Sequence, residues 1–270
     1  MKDIINVDMT KFAYLPSWYS MLNYLEELAM KEDWKFKNSC LDRINTRNPI
    51  LENYIFYTFR RLADERNNVD STEGKNKIIL IHDNYACFNT GLFTSNYKEI
   101  YAYFEKNINE RSNRNWFLKG FFDNHAPSLA NINPLPRRAR FFNSVDEIFF
   151  DGSLEIRVNT RHILNDASNR ARIPYTIRNS PNISILFEGA VELGRHKAAA
   201  SYHIAVPQYF QSKMQFLLPI HMLNPTKADL ALAISPMNGY YIGHTCLSLD
   251  MAYSNARLIA IPETYWLKRS

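Results

Sequence analysis

Residues 214–249, MQFLLPIHMLNPTKADLALAISPMNGYYIGHTCLSL, decide the fold class of this chain. Three apolar segments within this stretch, MQFLLPIHML, ADLALAIS and YYIGHTCLSL, have the length and composition of short β-strands. The turn signals NPTK and MNG separate them, so the pattern predicts antiparallel pairing. A further apolar segment, ARLIAIP (256–262), predicts a fourth strand after a polar corner.

Helix signals lie mainly upstream of this run of strands. SWYSMLNYLEELAM begins at Ser17, and NPILENYIFYTFRRLADE begins with Asn48 as N-cap and Pro49 at the first helical position. NYKEIYAYFEKN predicts a short helix with a capping box, and NISILFEGAVELGRHKAAASYHIAV predicts a long central helix that ends before Pro207. KIILIHD and YACFNTGLF predict a hairpin, and NWFLKGFF and EIFFDGSLEIRVN predict further strands.

The order of these elements favours an α+β fold, because the regular strand–helix alternation of a parallel sheet is missing. We expect one compact domain over residues 1–270, with a helical part over about residues 1–66 and an α+β body over about residues 77–267. Its mainly antiparallel sheet would be packed by the N-terminal helices and by the long central helix.

Composition excludes several classes of function. The chain has 270 residues and 8 glycines, with no GxGxxG or GxxxxGK[ST] motif, so neither a Rossmann site nor a P-loop is expected. HExxH, Cys/His clusters and GxSxG are missing too, which argues against metal sites, zinc hydrolases and serine hydrolases. No cofactor is predicted. The three cysteines (Cys40, Cys87, Cys246) are far apart, and no signal peptide or apolar run of membrane length is present, so we expect reduced thiols, a cytoplasmic protein and no membrane partner.

Positive charge is concentrated in the middle of the chain. From Arg111 to Arg178 there are 11 Lys and Arg against 6 Asp and Glu, an excess that equals the net charge of +5 of the whole chain. The long loop NHAPSLANINPLPRRARF contributes Arg137, Arg138 and Arg140. Arginine suits bidentate phosphate contacts, so RNA or a nucleotide is the predicted partner.

Candidate catalytic residues follow from residue chemistry. His162 and Arg172 lie in NTRHILNDASNRARIP, where the histidine would move a proton and the arginine would offset charge on a phosphorane-like transition state. Tyr253, in the polar corner DMAYSN, is the third candidate. The structural alternative for His162 is a histidine hydrogen-bonded to backbone.

Candidate ligand- or RNA-binding residues fall in three further segments, each with a structural alternative. FNTGL would be a turn. Its Asn89 and Thr90 would either contact a ligand or cap the turn. The end of the long helix would form either a binding face or a charged outer surface. The polar corner would be either the floor of a site or a clamp between strands. The residues concerned in these last two segments are Lys197, Tyr202, Gln208, Asp250, Asn255 and Arg257.

The chain resembles a known family of mainly bacterial proteins, domain of unknown function 3825, over roughly residues 17–267. The matching elements are FNTGL, IYAYF, HIL with a following RIP, VPQYF, LLPIHML, DLALAI and TCLSLDMAYSNARLIAIPETYWL. Members of that family often sit beside winged-helix LOTUS-type or cold-shock modules, which implies work on RNA. The resemblance implies no particular reaction, and this chain is expected to act as a bare domain, unaided or with a partner protein.

Three functions remain open on these grounds. The first is an RNA-directed domain, in defence or RNA repair, that binds RNA and could process it. The second is a metal-independent enzyme on nucleotides, in which His162 is the acid/base, Arg172 and Arg257 clamp phosphate, and Asn89 and Asn255 position the ligand. The third is a structural or regulatory protein whose polar cluster is scaffold.

Overall fold

The computed structural model describes residues 4–32, 34, 48–109 and 112–267. Contacts divide this described chain into two compact units, which we call unit 1 (through Arg140) and unit 2 (from Phe141 onward). The α+β class is confirmed, because each unit combines helices with a mainly antiparallel sheet that has five strands within the described residues. The strands are thus distributed over two sheets, and the organisation as a single domain stays a prediction.

Unit 1 packs short N-terminal helices against the first sheet. Its helices are α1 (Met9–Phe12), α2 (Trp18–Leu28), α3 (Pro49–Asn67) and α4 (Thr72–Asn76), and its strands are β1 (Ala13–Tyr14), β2 (Ile79–Ile81), β3 (Tyr85–Phe93), β4 (Glu99–Lys106) and β5 (Trp116–Asp123). α3 begins at Pro49 as predicted, and β2 and β3 form the predicted antiparallel hairpin. Helices and sheet meet in a cluster of four buried rings contributed by Phe12, Phe59, Phe88 and Phe104.

Within its described residues, unit 2 combines five helices with the second sheet. Its helices are α5 (Thr160–Asn165), α6 (Ala167–Arg172), α7 (Tyr175–Arg178), α8 (Ile183–Ala200) and α9 (Leu249–Arg257), and its strands are β6 (Glu155–Val158), β7 (Val206–Phe210), β8 (Lys213–Ile220), β9 (Leu230–Met237) and β10 (Tyr240–Leu247). The antiparallel pairing of β8, β9 and β10 is confirmed. α8 buries Phe187, Val191 and Gly194 and packs against β8, as its apolar stripe predicts.

The two sheets share one topology. Unit 1 has the strand order β1-β5-β4-β3-β2 and unit 2 the order β6-β10-β9-β8-β7, so in both the first strand pairs parallel with the last. In both, helices connect the first strand to a four-stranded antiparallel meander. In both, the last strand also bulges by one residue against its antiparallel neighbour, at Lys119 in β5 and at His244 in β10.

The helix predicted for NYKEIYAYFEKN is wrong. Glu99–Lys106 is strand β4, in which Ile100, Ala102 and Phe104 point into the helix-covered core. The residues of this core face therefore repeat every second position, which fits a pleated strand. The predicted capping box does not form, because the Glu99 carboxylate accepts a hydrogen bond from the Tyr101 hydroxyl at 2.7 Å.

The fourth strand predicted for ARLIAIP is also wrong. β10 ends at Leu247, and α9 occupies Leu249–Arg257. The buried positions Asp250, Tyr253 and Arg257 are spaced three and four residues apart, which is the period of a helix. Asp250 in the first turn and Arg257 in the last turn also complement the helix dipole.

The long central helix is shorter than predicted. α8 ends at Ala200, and Pro207 belongs to β7. β7 is an edge strand of its sheet, where a proline removes no internal ladder hydrogen bond. The segment EIFFDGSLEIRVN is likewise a strand over Glu155–Val158 alone, preceded by a 3₁₀ turn at Val145–Ile148.

Candidate functional site

Unit 2 carries a cavity of about 620 Å³, within the size range of small-molecule sites. Its walls combine apolar side chains with a group of uncharged polar ones. The lining residues on the strands are Gln208, Phe210, Lys213, Met214, Gln215, Ala233, Ser235, Pro236, Met237, His244, Thr245 and Leu247, joined by Gln211 from the β7–β8 turn and Asn255 from α9.

A continuous chain of hydrogen bonds, which we call the polar row, crosses this cavity. The Asn255 amide nitrogen donates to Gln208 Oε1 at 3.0 Å. Gln208 Nε2 donates to Gln215 Oε1 at 2.8 Å, and Gln215 Nε2 donates to Ser235 Oγ at 3.1 Å. Ser235 Oγ lies 2.8 Å from His244 Nε2. The polar row thus consists of Asn255, Gln208, Gln215, Ser235 and His244.

Strand register explains why these residues meet. Gln208 pairs directly with Gln215, and Ser235 pairs directly with Ile242 across the β9–β10 hairpin. Directly paired residues on neighbouring strands project from the same face. The bulge in β10 inserts one extra residue, His244, beside this row, and such bulges re-aim side chains.

β6 ends partway along β10, and beyond that point two side chains of α6 make hydrogen bonds to the β10 backbone. β6 pairs with β10 as far as Gly243, so the next residues of β10 lack a strand partner on that side. Asn169 Oδ1 accepts the Cys246 backbone N–H at 3.1 Å and the Thr245 hydroxyl at 2.6 Å. Arg172 donates to the Cys246 carbonyl at 2.7 Å. α6 is thereby fixed against the wall of the cavity at Thr245.

Asn169→Ala is expected to lower the free energy of unfolding by about 2–3 kcal/mol, because a buried backbone N–H and a hydroxyl lose their acceptor. Urea denaturation would measure the loss. Asn169→Asp retains an acceptor oxygen and should cost less, and Asn165→Ala, at an exposed position of α5, serves as the surface control. A loss for Asn169→Ala no larger than that for Asn165→Ala would contradict this role.

Among the predicted site residues, the cavity brings together Gln208 and Asn255. Asp250, Tyr253 and Arg257 are buried on α9 but line neither this cavity nor the smaller one described next. Ser248 Oγ donates to the Asp250 carboxylate at the start of the helix.

His162, Lys197 and Tyr202 lie elsewhere in unit 2. His162 is exposed on α5, where the Asn159 side chain caps its backbone N–H at 3.0 Å. Lys197 Nζ lies 3.2 Å from His221 Nε2 and donates to the Pro225 carbonyl, and partial burial lowers the pKa of Lys197. The Tyr202 ring lies 3.9 Å from that of His203 at an interplanar angle of 36°, and both residues line a second cavity of about 270 Å³. The convergence of His162, Arg172 and Arg257 that a nucleotide enzyme would need is found in neither cavity.

Asn89 and Thr90 are fully buried in unit 1 rather than exposed in a turn. FNTGL lies within β3, at an irregularity in its pairing with β4. The Asn89 side chain accepts the Gly91 N–H at 2.9 Å and contacts the Pro136 carbonyl, and Thr90 Oγ1 donates to the Ile100 carbonyl at 2.7 Å. These bonds hold the irregular strand, with Gly91 at a φ of 77°.

The arginines of the long loop are bound to unit 1. Glu65 on α3 pairs with the Arg137 guanidinium at 2.5 Å and accepts the Arg140 backbone N–H at 2.7 Å. The Arg138 guanidinium lies 4.9 Å above the Phe93 ring and donates to the Gly91 carbonyl at 3.2 Å. All three arginines are exposed, but Glu65 balances part of their charge.

Sequence reasoning missed Gln215, Ser235 and His244 as site residues. The MNG turn sets the hairpin register and could have placed Ser235 opposite Ile242. Gly243 inside a strand pattern is a general signal for a bulge, but it does not indicate that the bulge brings His244 beside Ser235.

Cys246, next to the cavity wall, is buried, and burial raises the pKa of its thiol to about 12. The thiol is therefore protonated and unreactive at neutral pH. Cys87 is buried as well, and Cys40 lies outside the described residues. Within the described ranges, no three His, Cys, Asp or Glu side chains come together as a metal site, and no helix has the length and apolar character needed to cross a bilayer.

Comparison with known proteins gives one family match. The family model described as Domain of unknown function (DUF3825) matches residues 25–266, which span both units. No curated protein and no solved structure matches the chain. Because the family model covers most of the sequence, the chain belongs to the DUF3825 family.

Proposed function

We propose that this protein binds single-stranded RNA through unit 2, and that the cavity takes in one unpaired base. The observation that carries the proposal is the polar row along a cavity whose apolar lining includes Met214, Met237 and Phe210. Proteins read unpaired RNA bases by hydrogen bonds to base edges and by packing on base faces. A cavity with amide, hydroxyl, apolar and aromatic groups offers both kinds of contact.

Positive charge beside the cavity supports this proposal. Helices α5 to α7 contain Arg161, Arg170, Arg172 and Arg178 against a single acidic residue, Asp166. Asn169 fixes α6 against Thr245 at the cavity wall. Arg161 and Arg170 are exposed, and Arg170 uses one of its guanidinium donors on Asn179 Oδ1 at 2.9 Å, so both can contact phosphates of a bound strand.

We propose three further properties of this protein. They are RNA processing, a partner protein that adds RNA affinity, and a cytoplasmic location. The loop arginines Arg137, Arg138 and Arg140 would add a second, weaker contact, because their neighbour Glu65 repels phosphate.

The test is a gel-shift assay with end-labelled single-stranded RNA at about 50 and about 200 mM salt, with a denaturing gel in parallel. The double variant Arg161→Gln/Arg170→Gln should weaken binding and lower the salt slope by about 1.4, if each arginine contacts one phosphate. Asn255→Leu should weaken binding roughly tenfold, because the loss of one hydrogen-bonding amide costs about 1–1.5 kcal/mol. New product bands would add processing to binding.

Arg195→Gln is the matched control, since Arg195 lies on α8 with its charge bonded to Glu192 at 2.5 Å. It should bind RNA like the unmodified protein. The proposal fails if RNA is not shifted at either salt concentration, or if the double variant binds as well as Arg195→Gln.

A further inference from the structure

Ser235 and His244 stand in the geometry of a nucleophile and its general base. They lie on the neighbouring strands β9 and β10, and both line the cavity. The 2.8 Å between Ser235 Oγ and His244 Nε2 falls within the range in which a histidine activates a serine. His244 is exposed, so a substrate entering the cavity reaches the pair from solvent.

The polar row leaves the serine proton free to point toward His244. Each amide in the row donates through nitrogen and accepts through oxygen, so the hydrogen bonds run one way from Asn255 to Ser235. Ser235 Oγ accepts from Gln215, so its own proton can be donated to His244 Nε2 in the tautomer in which that nitrogen carries no hydrogen. Successive hydrogen bonds in one direction polarise one another, which makes the hydroxyl at the end of the row a stronger proton donor.

In unit 1, the position equivalent to the Ser235–His244 pair is occupied by an ion pair. Its last strand has the same one-residue bulge, and the bulged Lys119 faces Glu105 at 3.2 Å. Both side chains are about half exposed and form a surface ion pair. The corresponding position of unit 2 instead has Ser235 and His244 at the wall of a cavity, joined to a row of amides.

The lining of the cavity indicates the class of substrate. Lys213 is the one Lys or Arg among its lining residues, all of which are described. Phosphoryl transfer needs several cations around the phosphate, whereas an acyl group is neutral. Met214, Met237 and Leu247 provide apolar surface for an acyl chain. The GxSxG motif of one class of serine hydrolases is missing here, but a serine–histidine pair is recognised by its geometry and not by its sequence motif. We propose that Ser235 is a nucleophile and His244 its general base in the hydrolysis of carboxylic esters.

In the first step Ser235 Oγ bonds to the ester carbonyl carbon while its proton passes to His244 Nε2. The tetrahedral intermediate then expels the alcohol, which takes that proton as the C–O bond breaks. Water next attacks the acyl-serine and gives a proton to His244. Ser235 leaves with this proton, and the carboxylic acid is released.

This inference does not rest on RNA binding, because its test uses a small ester and no RNA. The protein is mixed with p-nitrophenyl acetate and the release of p-nitrophenolate is followed. We expect a burst of about one equivalent per chain, with the acetyl group found on Ser235 by peptide mass mapping. Ser235→Ala should abolish the burst, and His244→Ala should slow it by about 10²–10⁴-fold.

Two controls match these variants. Ser168→Ala removes an exposed serine of α6, and Lys119→Ala removes the corresponding bulged residue of unit 1. Both should leave the burst unchanged, and circular dichroism would establish that every variant is folded. Acetyl found on other residues but not on Ser235, or a full burst from folded Ser235→Ala, overturns the proposal. If a variant does not fold, peptide mass mapping of the acetylated wild-type protein still shows whether Ser235 carries the acetyl group.

Discussion

Phe88→Ala is expected to lower the free energy of unfolding by about 3–5 kcal/mol, because it removes a large aromatic side chain from a packed core. Phe88 is fully buried, and its ring lies 5.4 Å from that of Phe59 and 5.8 Å from that of Phe104. The substitution takes the central ring from a cluster that joins α3 to β3 and β4. The cavity left behind cannot close, because strands fix the backbone on two sides.

Chemical denaturation of the purified variant would measure this loss. Tyr57→Ala is the matched control, because Tyr57 lies on the same helix as Phe59 but is 46% exposed. Its free energy of unfolding should change by well under about 1 kcal/mol. Equal losses for the two variants would mean that the ring cluster does not stabilise unit 1 as inferred.

Gly194→Ala is expected to destabilise unit 2 by about 1–3 kcal/mol, although alanine favours helix more than glycine does. A Cβ atom at this position would lie 2.7 Å from the Pro219 carbonyl oxygen on β8. The contact is with backbone, so α8 would have to move away from the sheet. That movement would separate Phe187 and Val191 from the core they help to fill.

Gly189→Ala, on the same helix, is expected to raise the free energy of unfolding instead. No atom lies within 4 Å of a Cβ built there, so the substitution should stabilise the protein by about 0.5–1 kcal/mol through helix propensity. Thermal unfolding of both variants gives the comparison. If Gly194→Ala also raised the midpoint, close packing of α8 on β8 would not be the reason for a glycine at residue 194.

Much of the fold could be predicted from local patterns. Pro49 marks the start of α3, and the NPTK and MNG turns mark the β8–β10 meander, because these signals act on neighbouring residues. The errors came where one pattern fitted two structures. Tyr101 and Tyr103 gave the β4 segment apolar residues on both faces, and this obscured its alternation, since a loop covers part of the second face.

The candidate site was harder to predict, because tertiary structure creates it. Gln208 and Asn255 were expected as ligand contacts, but Gln215 and Ser235 acquire significance only through the strand register that places them beside one another. Arg172 was expected to act on phosphate, yet its guanidinium completes the edge of β10. A sequence does not reveal where strand β6 stops, and hence which side chain replaces it.

The common topology of the two sheets was equally invisible in the sequence, because it lies in strand order and not in repeated residues. Glu105 and Lys119 differ in chemistry from Ser235 and His244, although the register of the bulges makes them equivalent. Comparing positions between the units therefore required both sheets to be known.

The pairing of first and last strands also sets the order in which each sheet can form during synthesis. Ala13 pairs with Trp116, and Glu155 pairs with Tyr240, so the strand pair that closes each sheet is farther apart in sequence than any other strand pair of that sheet. The meander of each unit has local pairings with a small loop-closure cost and forms early. On the ribosome, β1 and β6 must therefore wait, unpaired, until β5 and β10 have emerged from the exit tunnel.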